Sequence, residues 1–454
     1  MSDEGIALGR HYDDVTQHAG GKIIYTGERH VILWGSNGSG KGTRILIPAL
    51  LTIKNRSIVV IDPKGELAAV TADYRRTIGD VVMLNPFNVL GLGSAGFNPL
   101  AALDAASPTF YDDAAALGEA LIKIEGKDPH WSESAQGLLV SLLMWDKLQH
   151  GDAANLENVR RMLTEPDQWE SYVGGDDGKA RQRLVGGLRC IAADMVDKGG
   201  YEIASLAARF TEQTNELASI RSTADTQTRW ILSKPMRDDL RKNGVDFRKL
   251  KDRPTTVYVI LPAERMRTHA VWLRLVIVSA LRALYRAGGL RTLLLIDEMP
   301  ALGHLAPLED AFGLVRGYKV QIAGICQDLA QLKALYKERW ESFLANAGVV
   351  QGFAPNDLTT ADWMSKRAGQ TTMIVPHDTT SLGLSKGGFN IGTSGGNQQV
   401  GRPLHFPQEL MGFAEGTGLL WLAGMANGVR FFAPPYWKIQ QCAERARRNP
   451  YYDG

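Results

Sequence analysis

Residues 30–43, HVILWGSNGSGKGT, constrain this chain more than any other stretch. HVILW is an apolar run of strand length that stops at a glycine loop, and the following GTRILIPALLTI reads as a helix buried along much of its surface. Strand, glycine loop and helix are the context in which Gly35-Ser36-Asn37-Gly38-Ser39-Gly40-Lys41 reads as a phosphate-binding loop. Its glycines let successive backbone N–H groups turn toward phosphate oxygens, and the helix adds its N-terminal partial charge. Lys41 would hold the β- and γ-phosphates of ATP. A Ser or Thr usually follows that lysine directly as the Mg²⁺ ligand, but here Gly42 intervenes and the hydroxyl is on Thr43. Thr43 would then hold magnesium directly or through water. Pro48 lies inside the expected helix, removes one N–H and should kink it.

A second half-site is expected far along the chain. TLLLI (292–296) is a strand pattern ending in Asp297-Glu298, which places two carboxylates at its C-terminal edge. Asp297 would orient the magnesium shell and Glu298 would activate the attacking water. An apolar run ending in two acids is common by itself and gains weight only beside the phosphate loop. DPKGE follows the strand SIVVI (57–61), so Asp62, Lys64 and Glu66 should emerge on the same rim, a plain charged turn being the alternative. Gln327 ends a later strand, where its amide would sense the γ-phosphate. Arg316 reads as an arginine finger reaching a neighbouring subunit, or else as a solvated arginine.

Further strands are expected at 80–84, 255–261, 321–325, 349–353 and 418–422, with a helix over 268–286. Alternating strands and helices specify an α/β fold with a mainly parallel sheet. Between 99 and 234 the strand pattern stops, and 114–124, 132–149, 179–195 and 203–233 carry helical spacing. The expected organisation is a core in two pieces, 1–100 and 235–454, around an all-α insertion at 101–234. Residues 383–401, rich in Gly, Ser and Asn, should form a mobile loop. Two motif matches are set aside for want of context: Gly91-x-Gly93-x-x-Gly96 precedes Phe97-Asn98-Pro99 where a helix must begin, and Gly392-x-Ser394-x-Gly396 follows no expected strand.

Composition narrows the class. With 44% apolar and 22% charged residues over 454, the chain is globular rather than disordered. Three scattered cysteines support neither a disulfide framework nor a zinc site. No apolar run is long enough to span a bilayer. Residues 101–234 hold 14 Lys and Arg against 21 Asp and Glu, leaving 37 against 28 elsewhere. An acidic insertion on a basic core suggests two surfaces with different partners.

VIDPKGEL (60–67), LLLIDEMPALGHL (293–305), Gln327 with Gln331-Leu332, NAGVVQGFAPNDLTTADWMSKRAG (346–369) and GRPLHFPQEL (401–410) together resemble the TraG/TraD-type coupling proteins of conjugative type IV secretion systems. The resemblance covers nearly the whole chain, and Gly after the loop lysine looks like that family's habit. It implies a RecA-like nucleotide-binding core interrupted by an all-α substrate-recognition domain, assembling as a hexamer on the cytoplasmic face of the inner membrane. A soluble fragment would be monomeric at low concentration. ATP hydrolysis would drive single-stranded DNA with its attached relaxase, or effector proteins, into the secretion channel. Family members usually carry N-terminal membrane helices, which are not found before the phosphate loop here. Two other readings are a protein-effector receptor using ATP as an assembly switch and, less favoured, an FtsK-like DNA translocase.

Overall fold

The computed structural model describes residues 5–452 apart from 125–128, 174–179 and 386–387. Its strands are β1 (Ile6–Asp13), β2 (His18–Tyr25), β3 (His30–Trp34), β4 (Ser57–Ile61), β5 (Asp80–Leu84), β6 (Gln168–Val173) and β7 (Ala180–Gly186). They continue with β8 (Thr255–Val259), β9 (Thr292–Ile296), β10 (Val320–Cys326), β11 (Ala347–Phe353), β12 (Gln370–Ser385), β13 (Gly388–Pro403), β14 (Thr417–Leu422) and β15 (Val429–Phe432). One eleven-stranded sheet runs β2-β1-β15-β14-β11-β3-β10-β9-β4-β8-β5. From β11 to β5 in that order every pair is parallel. From β11 outward through β14, β15, β1 and β2 every pair is antiparallel.

Every residue of β3, β4, β8 and β9 is buried, as expected of parallel strands covered on both faces. Alternation assigns the faces: Ile32 and Trp34 join one apolar cluster, Val31 and Leu33 the other. The first cluster runs on without a break into the helices between β5 and β8, including Phe110–Leu121, His130–His150 and Asn215–Thr228. The helical insertion therefore shares a core with one face of the sheet.

Three expectations need correction. Residues 180–186 form a strand paired with β6, and helix begins only at Leu188 (Leu188–Lys198). Gly186 and Gly187 interrupt the helical spacing, with φ 95° at Gly187. Helix over 203–233 is broken at 211–214, where Thr214 caps a new helix by accepting the Leu217 N–H at 2.9 Å. Residues 383–401, outside 386–387, belong to the arms of the β12–β13 hairpin and are not an irregular loop. Pairing there extends from the β-branched flank Gln370–Val375, whose strand propensity the glycine-rich tip concealed.

Candidate active site

In the sheet β3, β10, β9 and β4 are consecutive neighbours, so the loops leaving their C-terminal ends lie side by side. The loop after β3 is anchored to β10 by the Gly35 N–H donating to the Cys326 carbonyl at 3.3 Å. Gly38 and Gly40 take φ of 81° and 87°, the left-handed backbone that curls the loop. Lys41 Nζ folds over this curl and donates to the carbonyls of Gly35 and, at 3.5 Å, Ser36. Ser39 Oγ is buried with no hydrogen-bond partner among the described residues. Asn37 and Gly38 are exposed at the tip.

Gly42 and Pro48 find a common explanation in the helix that follows. Gly42–Leu46 winds as a π-helix, the Ile47 N–H bonding back five residues to the Gly42 carbonyl, and Ile47–Thr52 then continues as α-helix. A π turn holds one residue more than an α turn, so it absorbs the extra Gly42 and keeps later residues on their buried face. Pro48 stands in the first turn of the α segment, where its missing N–H does little harm. The expected kink is thus a change of helix type. Buried Thr43 sits in the π turn, its hydroxyl 3.4 Å from the Gly40 carbonyl. A Cβ on Gly42 would meet nothing within 4 Å.

Beyond β10 the rim brings together the expected polar groups. Gln327 Nε2 donates to Glu298 Oε1 at 2.9 Å, joining the residues that end β10 and β9. Glu298 has φ 60° and ψ 48°, a left-handed conformation that costs a non-glycine residue about 1–2 kcal/mol. This backbone reversal lifts the Glu298 side chain to Gln327 while Met299 turns into the core. If Gln327 positions Glu298, Gln327→Ala should lower the turnover rate about 10-fold and leave nucleotide affinity within about 2-fold. A parallel fall in affinity, in steady-state phosphate release with fluorescent-nucleotide binding, would contradict that role.

Asp62 reaches this rim from β4. β4 follows the phosphate loop in sequence but is three places from β3 and next to β9, so Asp62 neighbours Asp297. Its carboxylate is buried and accepts the Ala68 N–H at 2.8 Å, capping the helix Glu66–Arg76 from inside. Lys64 is exposed, and its charge helps hold the Asp297 carboxyl down. Glu66 accepts from Asn449 Nδ2 at 2.7 Å, and the Lys64 carbonyl accepts from Tyr451 Oη at 2.8 Å. Asn449 and Tyr451 were not anticipated, since a lone Asn and Tyr near residue 450 carry no sequence signal. Arg316 is exposed at the start of β10, the opposite end of the sheet from Lys41. It does not join this chain's own rim.

Burial and neighbouring charge set the protonation of the two inner acids. Burial, then the adjacent Asp297 and Glu66 charges, push Asp62 up to about 7 against its helix-cap bonds. Burial and the Glu298 charge push Asp297 up to about 6, with Lys41 opposing. At these two groups the folded chain holds protons that the unfolded chain has released, so their contribution to folding stability declines as pH rises from about 4 through about 7. Asp62→Asn keeps the acceptor for Ala68 and cannot ionise. Its thermal midpoint relative to the parent should climb between pH 5 and 8, and parallel midpoint curves would refute this account.

Two buried carboxyls pushed up by burial and by neighbouring negative charge, with Lys41 opposing at Asp297, form a place that a divalent cation would complete. Among the described residues no three acid, imidazole or thiol groups converge into a protein cage. Thr43 and Asp297 with phosphate oxygens and water are the donor set magnesium takes in nucleotide sites. The curled loop, the folded-back Lys41 and the orphaned Ser39 hydroxyl fit the phosphates.

A parallel sheet with a phosphate loop after one strand and an Asp-Glu pair after the next strand but one defines a RecA-like P-loop nucleotide-binding fold. The profile of the family described as Type IV secretory system Conjugative DNA transfer matches residues 5–445, and the chain belongs to that family. It is 28% identical to the conjugal transfer protein TraG of Escherichia coli over 87% of this chain and 64% of that protein. Against the coupling protein VirD4 of Bartonella henselae it is 26% identical, over 85% and 59%. The chain thus spans about three-fifths of the length of these curated relatives. The plasmid coupling protein TrwB bound to a non-hydrolysable ATP analogue superposes with a TM-score of 0.64 at 14% identity, over 95% of this chain and 94% of that one. TrwB with ADP and Mg²⁺ gives 0.62 at 15%, over 90% and 85%. Among the described residues no helix is long and apolar enough to cross a membrane.

Proposed function

We propose that this chain is the ATPase of a conjugative type IV coupling protein, binding ATP with Mg²⁺ and using its hydrolysis to drive substrate into a secretion channel. The observation that carries this reading is the Glu298–Gln327 hydrogen bond on the rim that also bears Lys41 and Asp297, in a chain of the conjugative DNA-transfer family. Lys41 and the curled loop bind and orient the phosphates. Thr43 and Asp297 would hold magnesium, which would supply charge neutralisation at the transferring phosphoryl group when bound. Glu298 accepts the proton of the attacking water, and Gln327 holds Glu298 until a γ-phosphate competes for its amide.

In the assembled state the reading takes a hexamer at the cytoplasmic face of the inner membrane, with Arg316 acting on a neighbour's site. Its position away from its own Lys41 and its exposure suit a residue that works between subunits. Residues 101–234 recognise the cargo, and their acidity suits basic export signals. The family's description favours DNA as the cargo, and the reading takes it as single-stranded DNA with its relaxase. The test is the ATPase rate with and without single-stranded DNA, across protein concentrations so that assembly and stimulation separate. Stimulation at fixed assembly supports a DNA motor. Hydrolysis indifferent to DNA at every concentration refutes it and leaves the effector-receptor reading.

A further inference from the structure

The rim acids and Gln327 all stand on one side of the phosphate loop. In the sheet, β10, β9 and β4 lie to that side of β3 and lead into Gln327, Asp297-Glu298 and Asp62, while β11 and then β14 lie to the other. β14 is antiparallel to β11, with Gly418 opposite Phe353, so the residues just before Thr417 stand at the end of the sheet that bears the phosphate loop. Glu415 is one of them. A nucleotide whose terminal phosphate meets Asp297 and Glu298 leaves its nucleoside on the opposite side of Lys41, toward β11 and β14.

Arg44 ties that far side to the loop. It follows Thr43 in the π turn, and its side chain is only 11% exposed. A Cβ on Gly40 would come within 2.6 Å of Arg44 Cδ and Nε, and a Cβ on Gly416, at φ 77°, within 2.6 Å of Arg44 Nη1. The guanidinium is therefore clamped between the phosphate loop and the turn before β14, in room that both glycines leave open. Arg44 Nη1 donates to the Ala433 carbonyl at 2.8 Å, and Nη2 pairs with Glu415 Oε1. The Glu415 side chain is 76% exposed, and an ion pair to so exposed an acid adds little to stability. Its effect is to fix a carboxylate beside the loop, one oxygen held and the other left to accept from a ligand.

We propose that Glu415 accepts hydrogen bonds from the ribose hydroxyls of the bound nucleotide, with Arg44 as its positioning residue. The inference rests on the nucleotide-binding reading above and gives the sugar a reader on this chain. The first helical turn beyond the loop lies against the phosphates, so a side chain leaving it at Arg44 runs beside the sugar attached to them. A vicinal diol offers two O–H donors, and an ionised carboxylate is an acceptor-only group that suits them, as an acidic residue does for ribose in dinucleotide sites. The phosphate loop binds what every nucleotide shares. Glu415 separates ribonucleotides from nucleotides that lack the hydroxyls.

The test uses the full chain with Mg²⁺ and calorimetric titration of ADP and 2′,3′-dideoxyADP, which have no γ-phosphate to lose. The parent should bind ADP about 10-fold more tightly, the size expected of a hydrogen bond to a charged acceptor. Glu415→Ala should bring the two within about 2-fold by weakening ADP alone, and Glu415→Gln, which keeps an uncharged acceptor, should leave a preference of about 3-fold. Because Glu415 is exposed, the thermal midpoint of the free protein should stay within about 2 °C of the parent in both variants. A parent that binds both sugars within about 2-fold, or a Glu415→Ala that keeps the parent's preference, would overturn the ribose site and leave the nucleotide reading standing. Equal weakening of both nucleotides in Glu415→Ala would reduce Glu415 to a brace for Arg44 and overturn the ribose site as well. A parent that binds neither nucleotide would overturn the nucleotide reading and the ribose site together.

Discussion

Lys41→Ala should weaken ATP binding by at least about 100-fold. Lys41 supplies the only ammonium of the phosphate loop, and hydrogen bonds from a charged donor to phosphate contribute about 1.5–3 kcal/mol each. A loss near 2.7 kcal/mol already corresponds to a 100-fold change. The folded chain has little else to lose. Gly38 and Gly40 set the curl through their own backbone, and the Gly35 bond to Cys326 does not involve the lysine side chain. The bonds from Lys41 to Gly35 and Ser36 are those a nucleotide would replace. Equilibrium binding of a fluorescent ATP analogue should thus collapse while the thermal midpoint of the free protein shifts by no more than about 2 °C. Affinity retained within 3-fold would remove Lys41 from the phosphate site.

The interior strands were legible because parallel strands buried on both faces write themselves as unbroken apolar runs. HVILW, SIVVI and TLLLI match β3, β4 and β9 to the residue. β1 and β2 were missed for the converse reason: IALGRHYD and HAGGKIIY lie at the antiparallel end of the sheet, where only Ile6 and Leu8 of the two strands are buried, and mix glycine with charge. Lys41, Asp297, Glu298 and Gln327 could be read as rim residues because each follows the C-terminal end of a buried strand.

What a linear pattern does not carry is lateral order. Nothing in SIVVI says that β4 lies beside β9 rather than β3, so the pairing of Asp62 with Asp297 emerged only from the sheet. The hold of Asn449 on Glu66 spans 383 residues and depends on where the chain's last segment is laid down. Gly42 and Pro48 were visible as two oddities. Only the π turn, which needs the first and is followed by the second, makes them one device.

Glu298→Gln should keep ATP bound and stop its turnover. The substitution exchanges one carboxylate oxygen for an amide, so side-chain length, the left-handed backbone and an acceptor for Gln327 Nε2 all survive. What disappears is the ability to take a proton from water, a contribution of about 10²- to 10⁴-fold in rate. Phosphate release should fall by that factor with fluorescent-nucleotide affinity within about 2-fold of the parent. The contrast with Gln327→Ala is diagnostic: removing the holder leaves a base that finds its place part of the time, whereas removing the base leaves nothing to place. Glu298→Gln should therefore be the slower enzyme by at least 10-fold, and the double variant should be no slower than Glu298→Gln alone, because a positioning residue has no effect once its target is inert. Hydrolysis at the parent rate in Glu298→Gln would show that another group accepts the proton. The nearest alternative on this rim is Asp297, whose carboxyl, pushed up to about 6, could still accept one at neutral pH.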